Sequence, residues 1–166
     1  MEQHTIAVLV NDHPGVLTRV ANLFSQRGCN INSITVGASE EPGLSRMIIT
    51  SGGDDQRIDQ LMKQLNKLID VISVTLLSKD PMVTRELALI KVDAGPAQRA
   101  EINGIVEPFR ASVVDIGPTS LIIQATGDID KIDALLALLE PYGIRELTRT
   151  GLMAMARSVV DQPSYM

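Results

Sequence analysis

Few residues in this chain have the chemistry to hold a ligand, and most of them cluster early. The stretch "NDHPG", Asn11 to Gly15, stands between an apolar run, "IAVLV", and the amphipathic "VLTRVANLF". The first reads as a strand and the second as a helix. Backbone N–H groups in the first turn of a helix lack internal partners and lie at the positive end of the helix dipole. Gly15 carries no side chain to block an approach to them, and Pro14 fixes φ and stiffens the entry. Together they predict a small anion cradle. A phosphate usually brings a glycine run or a lysine, as in GxxxxGK; neither is present, and no GxGxxG occurs. A carboxylate needs less. Asp12, next to the cradle, can accept from an ammonium group, so the two together suit an α-amino acid, and Val16, Leu17 and Ile31 suit an aliphatic side chain. The residues by themselves also allow Asp12 as a helix cap and Pro-Gly as a plain turn, the commoner use of such residues.

Catalysis finds little to work with. The only histidines, His4 and His13, flank the first strand, and His13 reads as exposed and incidental. The single cysteine, Cys29, has no partner for a disulfide and no CxxC or Cys/His ligand spacing; it reads as a reduced, buried thiol. Acidic pairs such as Glu40-Glu41 and Asp54-Asp55 fall in loops or helix starts, where solvation or the helix dipole accounts for them.

The chain has 166 residues, enough for one large domain or two small ones. Hydrophobic residues make up 45%, so cores can form, but aromatics are only 2%, which leaves Val, Ile, Leu, Met and Ala to fill them and offers no stacking surface for nucleic acid or sugars. The net charge of -5, with scattered Lys and Arg, speaks against binding a phosphate backbone. No apolar run has membrane-spanning length and "MEQH" is no signal peptide, so the expectation is a cytoplasmic protein without membrane contact.

The elements that must position the cradle come in two similar sets. Strands are predicted at Thr5–Val10, Ile31–Val36, Ser45–Thr50 and Val71–Leu77. Helices carry Val16, Leu17, Val20, Leu23 and Phe24, then Ile58, Leu61, Met62, Leu65 and Leu68, and Gly28 closes the first of them. After the polar "SKDPMVT", strands are predicted at Arg85–Val92, Ala111–Ile116, Leu121–Ala125 and Ile144–Arg149, with helices carrying Ile102, Ile105, Val106 and Phe109 and later Ile132, Leu135, Leu136 and Leu139. Asp54, Ile58, Leu61, Met62 and Leu65 match Asp128, Ile132, Leu135, Leu136 and Leu139 at one offset, which points to a duplicated plan. The fold class is α+β, two tandem ferredoxin-like βαββαβ domains, each a four-stranded antiparallel sheet with two helices on one face and the other face bare. The expected division is residues 1–77, a linker at 78–84, residues 85–151, and a tail at 152–166 in which "LMAMARSVV" reads as a short helix and the last five residues as loose. The second set lacks a Pro-Gly cradle, since Gly95-Pro96 stands in reverse order, so no second ligand site is expected.

"DHPGVLTRVANLF" with "RGCNINSITV" resembles the ACT domain, a ligand-binding module of amino-acid metabolism. With "LSRMIIT", "QLNKLIDVISV", "ELALIKV" and "YGIRELTRTG" in order behind them, nearly the whole chain resembles the regulatory (small) subunit family of acetolactate synthase. The resemblance implies a non-catalytic chain without a cofactor of its own. Its partner would be a catalytic subunit using thiamine diphosphate, magnesium and FAD to join pyruvate to pyruvate or 2-oxobutyrate. It also implies a homodimer through the ACT domains and feedback inhibition by valine, or by leucine or isoleucine. The effector site would take Asp12, Pro14, Gly15, Val16 and Leu17 from one chain and Asn30 and Ile31 from the other. Some relatives carry Asn where Asp12 stands; Asp strengthens an ammonium contact but repels a nearby carboxylate. The strand "LSRMIIT" is a candidate for contact with the catalytic subunit, the alternative being an ordinary sheet strand with Arg46 solvated. Rival classes remain: a stand-alone sensor regulating transcription, for which no DNA-binding segment is left over, and an oligomerisation module that binds no ligand.

Overall fold

The computed structural model describes residues 2–158. They divide into two compact units, one ending at Val83 and the other running from Thr84 to Met153, with residues 154–158 belonging to the first.

In the first unit, β1 (Gln3–Asn11), α1 (Val16–Gln26), β2 (Ile31–Ala38), β3 (Leu44–Gly52), α2 (Asp55–Leu65) and β4 (Val71–Leu76) follow in the expected order. The sheet order is β2-β3-β1-β4, and every pairing is antiparallel. Ile6, Val8 and Val10 of β1 point to one side because strand side chains alternate. They meet Val16, Val20 and Phe24 of α1 and Ile58, Leu61 and Leu65 of α2 in one apolar core. Cys29 joins that core as a free thiol. The second sheet face is less bare than expected: Ile48 is only 5% exposed and Thr50 1%. Asp54 caps α2, its side chain accepting from the Arg57 amide at 2.8 Å. Gly28, with φ +67°, follows the end of α1 as read from the sequence.

The second unit repeats this with β5 (Met82–Asp93), α3 (Arg99–Val106), β6 (Ser112–Ile116), β7 (Ser120–Gly127), α4 (Ile129–Leu139) and β8 (Ile144–Arg149), in the sheet order β6-β7-β5-β8. Ala88, Ile90, Val92, Ile123, Ile132, Leu135 and Leu139 are fully buried or nearly so. Asp128 caps α4 as Asp54 caps α2, accepting from the Lys131 amide at 2.8 Å. Even the irregularities recur. Register slips between Leu9 and Val10 in one sheet and between Lys91 and Val92 in the other.

Two expectations need correction. The segment 78–84 is not a polar linker throughout: a short 3-10 turn covers Leu77–Lys79 and β5 already begins at Met82. The stretch "LMAMA" is not a helix. Met153–Ala156 form β9, which pairs with β5, and the Arg157 amide donates to Pro81 O at 2.9 Å. Met and Ala favour helices locally, but an open strand edge offers backbone partners that override that preference. The last five residues lie outside the described part of the chain.

Candidate functional site at the start of the first helix

Gly15 is the N-cap residue of α1 and sits in the left-handed region, with φ 86° and ψ -6°. A Cβ there would meet nothing within 4 Å, so the glycine answers to backbone conformation and not to crowding. No side chain caps the helix. Asp12 therefore does not cap it: the carboxylate is exposed and its amide donates to Gly43 O at 2.9 Å. The approach is pinned by Asn11 N to Asp70 O at 2.8 Å and His13 N to Asn11 O at 2.9 Å, while Val16 N reaches His13 O at 3.4 Å. The amides of Gly15, Leu17 and Thr18 find no protein partner among the described residues. What the turn presents to solvent is therefore a set of free donors at the positive end of α1, with an exposed carboxylate beside them.

The predicted site residues lie in different places. Asp12, Pro14 and Gly15 are exposed at the turn, and Leu17 is 46% exposed on the first turn of α1. Val16 points the other way, into the core at 3% exposure, so its side chain is not available to a ligand. Asn30 and Ile31 lie at the far end of the sheet. Ile31 pairs with Ser51, which also faces His4, whereas Asn11 faces Leu44. At about 3.3 Å per residue that is roughly 20 Å from the turn within one chain. Asn30 is exposed and donates to Asn32 Oδ1 at 2.9 Å. Ile31 opens β2, an edge strand of its sheet, and Asn30 immediately precedes it.

Sequence reasoning missed Asp70. Its backbone carbonyl holds Asn11, one carboxylate oxygen lies 2.5 Å from Arg19 Nη2, and the other lies 3.2 Å from His13 Nδ1. His13 is exposed, as expected, but it is not incidental: it braces the turn against Asp70. No spacing rule brings together residues 51 and 57 positions apart. The strand "LSRMIIT" falls in β3, an interior strand, and its Arg46 is paired with Glu40 at 2.7 Å instead of merely solvated. Among the described residues, no helix is long and apolar enough to cross a membrane.

The second unit handles the same place differently. Gln98 Oε1 accepts from the Gly95 amide at 2.8 Å, occupying the turn before α3 with the chain's own side chain. Arg145 pairs with Asp93 and reaches Thr119 Oγ1 at 3.3 Å. These residues line a cavity of about 600 Å³, together with Glu101 and Tyr142.

A regular two-helix, four-stranded unit with an open helix start of this kind defines an ACT-type module, and the second unit repeats its framework. The profile described as "AHAS small subunit-like ACT domain" matches residues 6–73, and the one described as "Small subunit of acetolactate synthase" matches residues 85–158. The chain belongs to the acetolactate synthase small-subunit family. It is 51% identical over 154 residues to the acetolactate synthase small subunit of Mycolicibacterium smegmatis, covering 93% of this chain and 91% of that one. It is 50% identical to the Bacillus subtilis small subunit, covering 96% and 93%. The crystal structure of the acetolactate synthase small subunit from Thermotoga maritima superposes with a TM-score of 0.88 at 44% identity, covering 96% of this chain and all of that one.

Proposed function

We propose that this chain binds and activates the catalytic subunit of acetolactate synthase and confers feedback inhibition by a branched-chain amino acid, valine first. The chain itself performs no chemistry; thiamine diphosphate, magnesium and FAD belong to the catalytic partner, in the cytoplasm. The observation that carries this reading is the uncapped start of α1 at Gly15, with free amides for a carboxylate and Asp12 for an ammonium group. Leu17, half-exposed beside it, offers apolar contact for an aliphatic side chain. Asn30 and Ile31 reach the turn only from a second copy, so the effector sits at a seam between two ACT units. The edge position of β2, with Val36 48% exposed, supports such a pairing. Inhibition then follows from linkage: the effector binds one arrangement of the complex better than another, with a coupling of about 1–3 kcal/mol.

The test adds the purified chain to a catalytic subunit and titrates valine, then leucine and isoleucine. The expected result is a gain in acetolactate formation that valine reverses. Gly15→Asp should remove the valine response and leave activation in place, because a carboxylate would then face the anion site and a left-handed φ costs a non-glycine residue about 1–2 kcal/mol. No gain and no valine response would defeat the reading. Activation without any amino-acid response, and no thermal stabilisation by any amino acid, would favour an oligomerisation module instead.

A further inference from the structure

At the opposite end of β1 from Gly15, an imidazole and two carboxylates converge. We propose that Glu2, His4 and Asp55 bind one divalent transition-metal ion of the zinc class. His4 occupies a core-facing position of β1, in line with Ile6, Val8 and Val10, and its side chain is 5% exposed. A ring among apolar neighbours needs partners for its nitrogens. Its Nε2 lies 3.0 Å from Gly53 O and 3.7 Å from Asp55 Oδ1. A nitrogen that donates has no lone pair for a metal, so a bound ion would replace the Nε2 proton that otherwise serves Gly53 O; the 3.7 Å separation from Asp55 is too long for a hydrogen bond. It is close to the spacing of two ligands on one tetrahedral zinc, about 3.3 Å for bonds of about 2.0–2.1 Å.

Glu2, one residue before the start of β1, supplies the third donor. Ligand atoms of Glu2, His4 and Asp55 all lie within 4.8 Å of one another. They open on a cavity of about 550 Å³ that Asp59, Ser78 and Lys79 also line. Asp59 is held by Lys63 at 2.9 Å, which leaves Glu2 and Asp55 against Lys79. A dication would correct that excess of negative charge. One imidazole with two carboxylates and no sulfur suits zinc, cobalt or nickel; calcium and magnesium favour oxygen alone. Bound there, the ion ties the beginning of β1 to the first turn of α2. The site is remote from the Gly15 turn and depends on nothing proposed for it.

The experiment titrates zinc into the full chain after chelator dialysis, followed by calorimetry and by thermal melting, with cobalt as a visible-absorption probe. The expected result is one saturable zinc per chain and a higher melting temperature. Glu2→Gln and Asp55→Asn each weaken binding by at least about tenfold, and the double variant abolishes it. His4→Gln, which keeps a donor for Gly53 O, should abolish it too. Glu2 and Asp55 are exposed, so their variants keep the fold whether or not the His4 variant does. Absence of saturable zinc binding, or stoichiometric binding unchanged in the double variant, overturns the proposal.

Discussion

The two units of this chain share a framework and differ at one turn. In both, the residue ending the first strand donates its amide across the sheet: Asn11 to Asp70 O and Asp93 to Gly143 O, each at 2.8 Å. In both, the next residue donates to the tip of a hairpin: Asp12 to Gly43 O and Ala94 to Thr119 O, each at 2.9 Å. The difference lies in where the charges go. The first unit places its acid at Asp70 and draws it sideways onto Arg19 and His13, so the turn itself stays open. The second places its acid at Asp93 and ties it to Arg145, while Gln98 fills the turn. Gly143 is required for this arrangement, because a Cβ there would come within 2.6 Å of Asp93 Oδ2. A duplicated fold thus keeps its backbone bonds while six side chains make the two turns differ: His13, Arg19 and Asp70 in one unit, Asp93, Gln98 and Arg145 in the other.

The sharpest way to break the comparison is to remove each unit's acid. Asp70 is largely buried, its side chain 12% exposed, and Asp70→Asn leaves Arg19 and His13 without their anion. Charge-assisted hydrogen bonds of this kind are worth about 1.5–3 kcal/mol, so denaturant unfolding should show a loss near the lower end, given that both partners are half-exposed or more. The same variant should weaken the valine response, because the approach to Gly15 loses its brace. Asp93→Asn acts on a pair whose members are 47% and 44% exposed, and its cost should stay below about 1 kcal/mol with no change in valine response. Equal losses in the two variants would remove the distinction drawn between the units.

A smaller effect is expected from Gln98→Ala. It frees the Gly95 amide, which precedes the helix, and should cost about 0.5–1 kcal/mol, the net worth of an ordinary hydrogen bond. It should not create a second amino-acid site. The turn before α3 has no left-handed glycine at the helix start, and Gln98 itself has φ -91°. Calorimetric titration of valine into a variant carrying both Gly15→Asp and Gln98→Ala checks this; heat of binding there would mean that the second turn needs only unplugging.

These contrasts also mark what the residues told in advance. Caps and helix faces were legible because they are local: Asp54 and Asp128 stand directly before helices whose apolar spacing is regular. Gly15 was legible for the same reason, since Pro-Gly at a strand-to-helix junction constrains its own backbone. The inward turn of the Val16 side chain was not legible, because a helix start does not reveal which of two adjacent apolar residues faces the core; the structure buries Val16 and exposes Leu17. Asp70 and Arg145 could not be foreseen, because their partners come from distant parts of the chain and charge carries no period. β9 was misread because its residues favour a helix and only the neighbouring edge of β5 decides otherwise.

The smallest predicted effect concerns the hairpin tip that holds Asp12. In the first unit this tip carries Glu40, whose carboxylate receives two hydrogen bonds from Arg46, at 2.7 Å and 3.1 Å. That contact, helped by the backbone, lowers the Glu40 pKa to about 2. The group's pKa is lower folded than unfolded, so the pair's contribution is present above the ordinary glutamate value near 4.5 and is lost as pH falls toward 2. Glu40 is fully exposed, so solvent screens the pair and only a shallow change is expected. The hairpin tip of the second unit, Gly117 to Thr119, has no carboxylate of its own; it is held through carbonyls by Arg99 and Arg145. An NMR pH titration should therefore show the amide of Asp12 shifting between pH 4.5 and 2 in the parent chain, with that component reduced in Glu40→Gln, while the amide of Ala94 follows the same course in both. Identical profiles for Asp12 in the two proteins would mean that the Glu40–Arg46 pair does not hold the tip on which the Gly15 turn rests.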